Sequence, residues 1–284
     1  MNEALFIRAI RDTGIPINDS IITDGQLHRV HVDGDKPGSK NAWYVLHDGD
    51  FPAGAFGCNK RGISGKWRGD GKRPSLTECD YTRIEADRKS RAEAQERGYN
   101  ESATRAERIL QQATRDASEH PYVVRKAIRP HGVKANERDL LVIPIYSALN
   151  GHLQTVQFID RDGNKKMLTG GRCTNGFFPF SDVPNFWVNA VHRSGIAEGF
   201  VTGATLAESL PAVAMFAAFS AGNLLNVAHA LRARYPNAEI TVFGDNDASG
   251  IGQRYAHAAA NAIDGLVAIP PIPGRDWNDV RRAA

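Results

Sequence analysis

A chain of 284 residues accommodates one large domain or two of moderate size, and its 42% hydrophobic and 24% charged residues are ordinary for a globular protein. A formal net charge of +3 neither identifies nor excludes a polyanionic partner. The longest apolar run, Ala212 to Phe219, is far shorter than a membrane span, so we expect no membrane partner.

The cysteines exclude two further classes of protein. Cys58, Cys79 and Cys173 are scattered, and none belongs to a C-x-x-C pair. A structural zinc site normally needs four ligands in two close pairs, so we expect no zinc. An odd number of scattered cysteines also argues against a disulfide framework, which favours a reducing, cytoplasmic location.

The first predicted domain, residues 1–80, is small and β-rich. A short amphipathic helix around Leu5 and Ile10 ends before Gly14, and apolar stretches broken by Asp-Gly turns then predict antiparallel hairpins. Aromatic residues in this domain supply either its core or a binding face for nucleic acid. They are interleaved with basic residues: Lys36, Lys40, Lys60, Arg61, Lys66, Arg68, Lys72 and Arg73 among Trp43, Phe56 and Trp67.

Residues 81–118 and 119–192 differ sharply in composition. The first segment is rich in Arg, Glu, Ala and Gln, which predicts a solvated spacer of one long helix, or of two helices interrupted near Gly98. The second segment predicts a basic α+β lobe with strands at 140–146 and 153–159, joined by a turn at Asn150-Gly151.

Residues 193–284 alternate between strand and helix patterns. Strands are predicted at 195–198, 213–219, 240–243 and 266–269, with helices at 202–210, 223–234 and 251–263 between them. This alternation is typical of a largely parallel sheet covered by helices. The expected fold class is therefore an α/β lobe with a largely parallel sheet, preceded by a mixed α+β lobe and a small β-rich domain.

Acidic residues follow the predicted strands of the α/β lobe. Glu198 ends the first strand, Asp245 and Asp247 follow the strand at 240–243, and Asp276 and Asp279 lie near the last residues. Loops at the carboxyl ends of parallel strands form the ligand crevice of such sheets, and converging carboxylates repel one another unless a cation lies between them. Magnesium prefers oxygen ligands and phosphate partners. Each acidic cluster alone is also compatible with an ordinary strand end or helix cap.

The order of these motifs resembles a known domain. Ala197-Glu198-Gly199-Phe200 and Gly244-Asp245-Asn246-Asp247, with the elements between them, are similar to the Toprim domain of bacterial-type primases, topoisomerases and some nucleases. The resemblance implies that Glu198, Asp245 and Asp247 are catalytic and bind magnesium, with manganese expected to substitute. Asp276 and Asp279 stand in the place of a later acidic motif of primases and are further expected metal ligands.

Nearly the whole chain resembles the primases of phages, plasmids and conjugative elements. The similar segments include residues 198–206, Ala221 to Leu224, His120-Pro121-Tyr122, residues 163–168 and Trp43 to Leu46. The chain departs from that family in two ways, because the ligands of the usual zinc ribbon and the usual helicase domain are not found in it. It is therefore either a stand-alone primase or a fragment of a larger primase-helicase.

A primase must also hold a template and nucleotides, which calls for positive charge and for aromatic rings that stack on bases. Lys165, Lys166 and Arg172 flank the expected crevice near the glycine pair Gly170-Gly171, whose backbone N–H groups can approach phosphates. Thr202 begins a helix, where it is either an anion contact or a cap. The full set predicted to bind nucleotide or template is Lys165, Lys166, Arg172, Arg125, Lys126, Thr202 and Asn223.

The resemblance therefore predicts a DNA primase that joins ribonucleotides on single-stranded DNA. Its expected partners are the DNA template, ribonucleoside triphosphates and a replicative helicase. Two alternatives stay open: a Toprim nuclease that cuts nucleic acid with the same ions, and a non-catalytic nucleic-acid-binding accessory protein.

Overall fold

The structure is a computed structural model that describes residues 2–49, 51–58, 60–69, 78–180 and 192–283. The chain divides into two compact units, Met1–Ala86 and Asp87–Ala284. Lys72 and Arg73 of the basic group in the first domain lie outside the described residues. Throughout the described segments, no helix is both long enough and apolar enough to cross a bilayer.

The first unit is a helix packed on a four-stranded antiparallel sheet. Its elements are α1 (Asn2–Asp12), β1 (His28–Val30), β2 (Ala42–His47), β3 (Ala53–Cys58) and β4 (Ile63–Arg68), with the strands adjacent in chain order. Phe6 of α1 makes edge-to-face contacts with Tyr44, Phe56 and Trp67. Of the five aromatic residues considered for a core or a binding face (Trp43, Tyr44, Phe51, Phe56 and Trp67), Tyr44, Phe56 and Trp67 therefore belong to the core, and the predicted β-rich domain is confirmed.

Helix α2 (Glu78–Gln112) runs without interruption through Gly98. The expectation of a solvated spacer is wrong for its carboxyl-terminal half, because Ser102 and Ala106 are fully buried there. Ile109 of the same half packs against Val142 and Val156. A few apolar residues of this charged helix cover one face of the sheet. Because most of the segment is charged, its composition did not indicate that they are buried.

The second unit is built on a single ten-stranded sheet. Its strands are β5 (Arg115–Asp116), β6 (Lys134–Ala135), β7 (Leu141–Ser147), β8 (Leu153–Ile159), β9 (Lys165–Met167), β10 (Gly176–Pro179), β11 (Arg193–Ala197), β12 (Ala214–Ala217), β13 (Glu239–Phe243) and β14 (Leu266–Ala268). Its remaining helices are α3 (Pro121–Lys126), α4 (Phe200–Ser209), α5 (Leu224–Arg234), α6 (Ile251–Asn261) and α7 (Trp277–Ala283), with a 3₁₀ turn at Ala221–Asn223.

The strand order explains where a ligand crevice opens. The order is β14-β13-β11-β12-β10-β7-β6-β5, with β8 and β9 added beside β7. The pairs β11–β12, β11–β13 and β13–β14 are parallel, whereas β10 is antiparallel to both β12 and β7. The chain therefore crosses from β11 to β12 on one side and then returns past β11 to β13 on the other, which makes the carboxyl end of β11 a topological switch point. The predicted α/β lobe and the preceding mixed lobe are both confirmed.

Successive residues of the parallel strands enter different cores. Ala197 and Phe243 pack with α4, whereas Ile196 and Val242 pack with α5 and α6. Both faces of the sheet are thus covered, which is why these strands read as continuous apolar runs rather than as an alternation.

Candidate active site

A pocket of about 280 Å³ opens at the carboxyl ends of β11 and β13. Glu198 follows β11 directly, and Asp245 follows β13 after Gly244. Six of the predicted site residues line this pocket: Glu198, Asp245, Asp276, Lys165, Lys126 and Thr202. The chain positions of these residues span more than half of unit 2, so the sheet brings together side chains from α3, β9, α4 and two strand ends. We call this cavity the acidic pocket.

Burial and mutual repulsion shape the acidic pocket. Burial, followed by the negative charges of Glu198 and Asp276, raises the pKa of Asp245 to about 7. Burial also raises the pKa of Glu198, although the backbone N–H of Ala221 donates to its carboxylate. Asp245 Oδ1 is buried without a hydrogen-bond partner in the described parts of the chain. An orphaned carboxylate oxygen beside two other acids is the arrangement that a bound cation would stabilise.

Lys165 supplies positive charge to the acidic pocket. Its ammonium offsets part of the rise in the pKa of both Glu198 and Asp245, and a Cβ placed on Gly199 would stand 3.7 Å from Lys165 Nζ. Side chains alternate across a strand, so the neighbouring Lys166 points to the opposite face, where its partner on β8 is Phe158. The two adjacent lysines therefore lie on different faces of the sheet.

Asp247 is engaged in holding the start of α6. Its carboxylate accepts hydrogen bonds from the backbone N–H groups of Ser249 at 2.8 Å and of Gly252 at 2.7 Å. Partial burial raises the pKa of Asp247, but a hydrogen bond from the Ser249 hydroxyl, together with these N–H groups, outweighs that effect and holds the pKa below its ordinary value. A Cβ on Gly252 would lie 2.8 Å from Asp247 Oδ2, so the close approach requires glycine.

Asp279 takes part in a reciprocal cap at the start of α7. Asp276 Oδ1 accepts from the Asp279 N–H at 2.7 Å, and Asp279 Oδ2 accepts from the Asp276 N–H at 3.4 Å. This arrangement is a capping box, which satisfies backbone donors at the helix start. Asp276 lines the acidic pocket, and Asp279 is outside its lining.

Besides Lys166, three predicted binding residues lie away from the acidic pocket's lining. Asn223 is buried, and its side chain donates to the carbonyls of Gly176 and Ala218 and accepts from the Asn175 N–H, so its polar atoms are occupied. Arg172 stacks over the Tyr99 ring in another pocket. The Arg125 guanidinium lies 5.4 Å from the centroid of the Tyr122 ring, at the edge of the acidic pocket.

Sequence reasoning did not assign four side chains that line the acidic pocket to the site: Tyr122, Gln157, Val201 and Phe219. Burial and then the charge of Asp276 raise the pKa of the Tyr122 hydroxyl. Phe219 has a φ of 67°, a left-handed conformation that is rare for a bulky residue. Two sequence features could have indicated this site. Tyr122 belongs to the His120-Pro121-Tyr122 motif, and Gln157 is a polar residue within a buried strand.

The donor set fits magnesium rather than a metal held by protein ligands alone. Within the described segments, no three His, Cys, Asp or Glu side chains lie close enough together to hold a metal ion. Magnesium, however, is usually held by one or two carboxylates together with water and substrate phosphates. Glu198 and Asp245, with the orphaned oxygen of Asp245, meet that requirement.

Residues 193–284 match the family model described as the Toprim domain. Two curated proteins of Escherichia coli, both named DNA primase TraC, are 33% identical over 279 residues and 31% identical over 281 residues, each across 93% of this chain. The matched regions cover only 26% and 19% of those two proteins, so this chain spans about a quarter of their length or less.

Two solved structures share a distant likeness with the chain. The DnaG catalytic core covers 66% of this chain and 76% of its own, at 10% identity and a TM-score of 0.44. The zinc-binding and RNA polymerase domains of the Aquifex aeolicus primase cover 98% of this chain and 79% of their own, at 13% identity and a TM-score of 0.42.

Proposed function

Because this chain is a Toprim-domain protein related along nearly its whole length to bacterial-type DNA primases, we propose that it synthesises short RNA primers on single-stranded DNA. In this reaction the 3′-hydroxyl of one ribonucleotide attacks the α-phosphorus of the next ribonucleoside triphosphate. A phosphodiester bond forms, the bond to the β-phosphate breaks, and pyrophosphate leaves with the electron pair. The hydroxyl proton passes to solvent or to a nearby base.

One observation carries the proposal: Glu198, Asp245 and Asp276 line one pocket with Lys165 at the switch point of the sheet. An acidic pocket that also presents a lysine suits a substrate that brings negative charge together with a cation. Triphosphates enter proteins in that form, since magnesium bridges their oxygens to one or two carboxylates.

Glu198 and Asp245 would hold magnesium, and manganese is expected to replace it. When bound, the ion neutralises charge on the transferring phosphate and favours ionisation of the attacking hydroxyl. Asp245 must be deprotonated for this role. Its raised pKa of about 7 means that proton loss and ion binding are coupled near neutral pH.

The basic residues are assigned to phosphate contacts. Lys165 and Lys126 line the acidic pocket and would contact the triphosphate, with Thr202 near the amino terminus of α4, where backbone N–H groups attract anions. Arg125 beside Tyr122 would meet the template at the edge of the pocket. A replicative helicase stays a proposed partner and the cytoplasm a proposed location.

A primer-synthesis assay tests the proposal. Purified full chain, single-stranded DNA, labelled ribonucleotides and Mg²⁺ should yield short oligonucleotides, and Asp245→Asn and Glu198→Gln should abolish them. Asp264→Asn is the matched control, because Asp264 is an exposed carboxylate outside the acidic pocket. Equal synthesis by the wild-type protein and Asp245→Asn would contradict the proposal. Cleavage of the template without nucleotides would instead indicate a nuclease.

A further inference from the structure

A second pocket of about 310 Å³ lies on the opposite face of β8 from the acidic pocket. Leu153 lines the second pocket and packs with Val156, whereas Gln157, the next residue in the strand after Val156, lines the acidic pocket on the other face. Tyr99 and Asn100 of α2 form another wall. We call this cavity the Tyr99 pocket.

An aromatic ring and a guanidinium form a layered pair in the Tyr99 pocket. The Arg172 guanidinium lies 4.4 Å from the centroid of the Tyr99 ring. The Glu96 carboxylate pairs with Arg172, and Gln95 Nε2 donates to the Tyr99 hydroxyl at 2.7 Å. Both groups are therefore fixed before any ligand arrives, and Arg172 is only partly exposed. Stacked surfaces of this kind accept planar heteroaromatic ligands.

Charge compensation makes the Tyr99 pocket unsuitable for a phosphate. Glu96 neutralises Arg172, and its carboxylate would repel an anion placed beside the guanidinium. Arg172 was predicted from sequence to contact triphosphate or template. Its pairing favours a neutral part of such a ligand over a phosphate group.

One buried hydrogen-bond acceptor in the Tyr99 pocket has no donor among the described residues. Gln154 Oε1 is buried and has no hydrogen-bond partner among the residues that the structure describes. Asn100 and Asn175 line the same pocket and add further amide groups. A buried acceptor without a donor is destabilising, so rotation of Gln154 towards a ligand N–H group in the pocket recovers that free energy.

We propose that the Tyr99 pocket binds a nucleobase, with its ring stacked on the open face of the Tyr99–Arg172 pair and an N–H group donated to Gln154 Oε1. A flat, neutral ligand with N–H donors satisfies the three features of the pocket. The choice of a nucleobase among such ligands rests on the proposed function. The base belongs either to a single-stranded nucleic acid or to a free nucleotide.

Equilibrium titrations of the full chain test this inference. The first arm uses the four 2′-deoxynucleosides, which carry no phosphate, and the second uses a single-stranded oligodeoxynucleotide. We expect saturable binding of at least one nucleoside in the first arm if the source is a free nucleotide, and tight binding only in the second arm if it is a strand. In either arm Tyr99→Ala should weaken binding at least about fivefold, since one base stack contributes ~1–3 kcal/mol.

Matched variants separate stacking from folding. Tyr99→Phe keeps the ring and should retain the affinity, whereas Tyr81→Ala removes an exposed tyrosine from the same helix and should change nothing. Gln154→Leu should weaken bases with an N–H donor most and so change the order of preference among the four. Unchanged affinities of both Tyr99→Ala and Gln154→Leu in both arms would overturn the inference.

The outcomes of this inference and of the primase proposal are distinguishable. Asp245→Asn should abolish primer synthesis and leave nucleobase binding intact, because Asp245 lies outside the Tyr99 pocket. If the protein synthesises primers but its nucleobase binding does not depend on Tyr99, the inference is wrong and the primase proposal stands. Tyr99-dependent binding without synthesis removes the primase and keeps a nucleobase pocket.

Discussion

The buried side-chain amide of Asn278 donates a hydrogen bond to the backbone carbonyl of Lys126 at 2.8 Å. Its second N–H donates to Thr205 Oγ1 at 2.9 Å. One side chain of α7 thus connects the end of α3 with the middle of α4. Asp276, two residues before Asn278, and Lys126 both line the acidic pocket. Asn278 therefore fixes the distance between an acidic and a basic member of the site without lining the pocket.

Asn278→Ala should lower the free energy of unfolding by about 1–3 kcal/mol, because it leaves a partly buried carbonyl and a buried hydroxyl without their donor. Urea unfolding followed by circular dichroism measures the change. Asn261→Ala makes the same substitution at an exposed position near the end of α6 and should have little effect. Equal stability of the two variants would show that the Asn278 contacts contribute nothing net.

The parallel part of the sheet and the acidic residues that follow its strands could be predicted from sequence for a physical reason. Strands buried on both faces are unbroken apolar runs, and the residues that follow them are forced to the same edge, so Glu198 and Asp245 could be paired. Strand β10 was missed although all four of its residues are buried. A short apolar run that ends in proline has no periodicity to separate it from a loop.

The different roles of Asp245 and Asp247 could not be predicted from sequence. Asp245 and Asp247 are two residues apart, yet one has a buried unpartnered oxygen and the other accepts N–H groups at a helix start. Burial and backbone direction decide this difference, and neither is encoded in the spacing of the motif. The pairing of Arg172 with Glu96 joins residues that are distant in the chain, so no local pattern could indicate it.

The raised pKa of Asp245 should make stability fall with rising pH. Its pKa is about 7 in the folded protein, against 3.8 for an ordinary aspartate, so the folded state favours the protonated acid. That contribution is complete below the unfolded pKa and is lost as pH rises through the folded one. In chelator, Asp245→Asn should therefore gain stability over the wild-type protein between pH 5 and pH 8, by on the order of a few kcal/mol, since each pKa unit is ~1.4 kcal/mol. Urea unfolding at pH 5 and at pH 8 measures this gain. For Asp264→Asn, the difference in stability from the wild-type protein should be the same at both pH values.

Divalent cations should reverse the loss of stability that the wild-type protein shows as the pH rises. Mg²⁺ or Mn²⁺ binds only the deprotonated carboxylates, so its stabilising effect should be larger at pH 8 than at pH 6. Melting temperatures with and without the ion should differ for the wild-type protein and for Asp264→Asn, and should coincide for Asp245→Asn and Glu198→Gln. A wild-type melting temperature that does not respond to either ion at pH 8 would remove the proposed magnesium site and leave the accessory-protein alternative favoured.

The two adjacent lysines of β9 provide a matched pair. Lys165→Met removes the charge that faces Glu198 and Asp245, whereas Lys166→Met removes one from the other face of the same strand. Primer synthesis should fall on the order of a hundredfold in the first variant, the usual loss when one fixed electrostatic contact to a reacting group is deleted. The second variant should lose much less under the same assay. Equal losses would place the nucleotide phosphates outside the acidic pocket.

Asp247 should differ from Asp245 in the sign of its effect on stability. Asp247→Ala removes the acceptor for the N–H groups of Ser249 and Gly252, and loss of such a cap costs about 0.5–2 kcal/mol. In chelator at pH 8, urea unfolding should therefore show Asp247→Ala less stable than the wild-type protein and Asp245→Asn more stable. Asp247→Asn keeps one acceptor oxygen and should fall between Asp247→Ala and the wild-type protein. If Asp247→Ala were also stabilising, repulsion between the carboxylates would outweigh the cap, and Asp247 would belong energetically with Glu198 and Asp245.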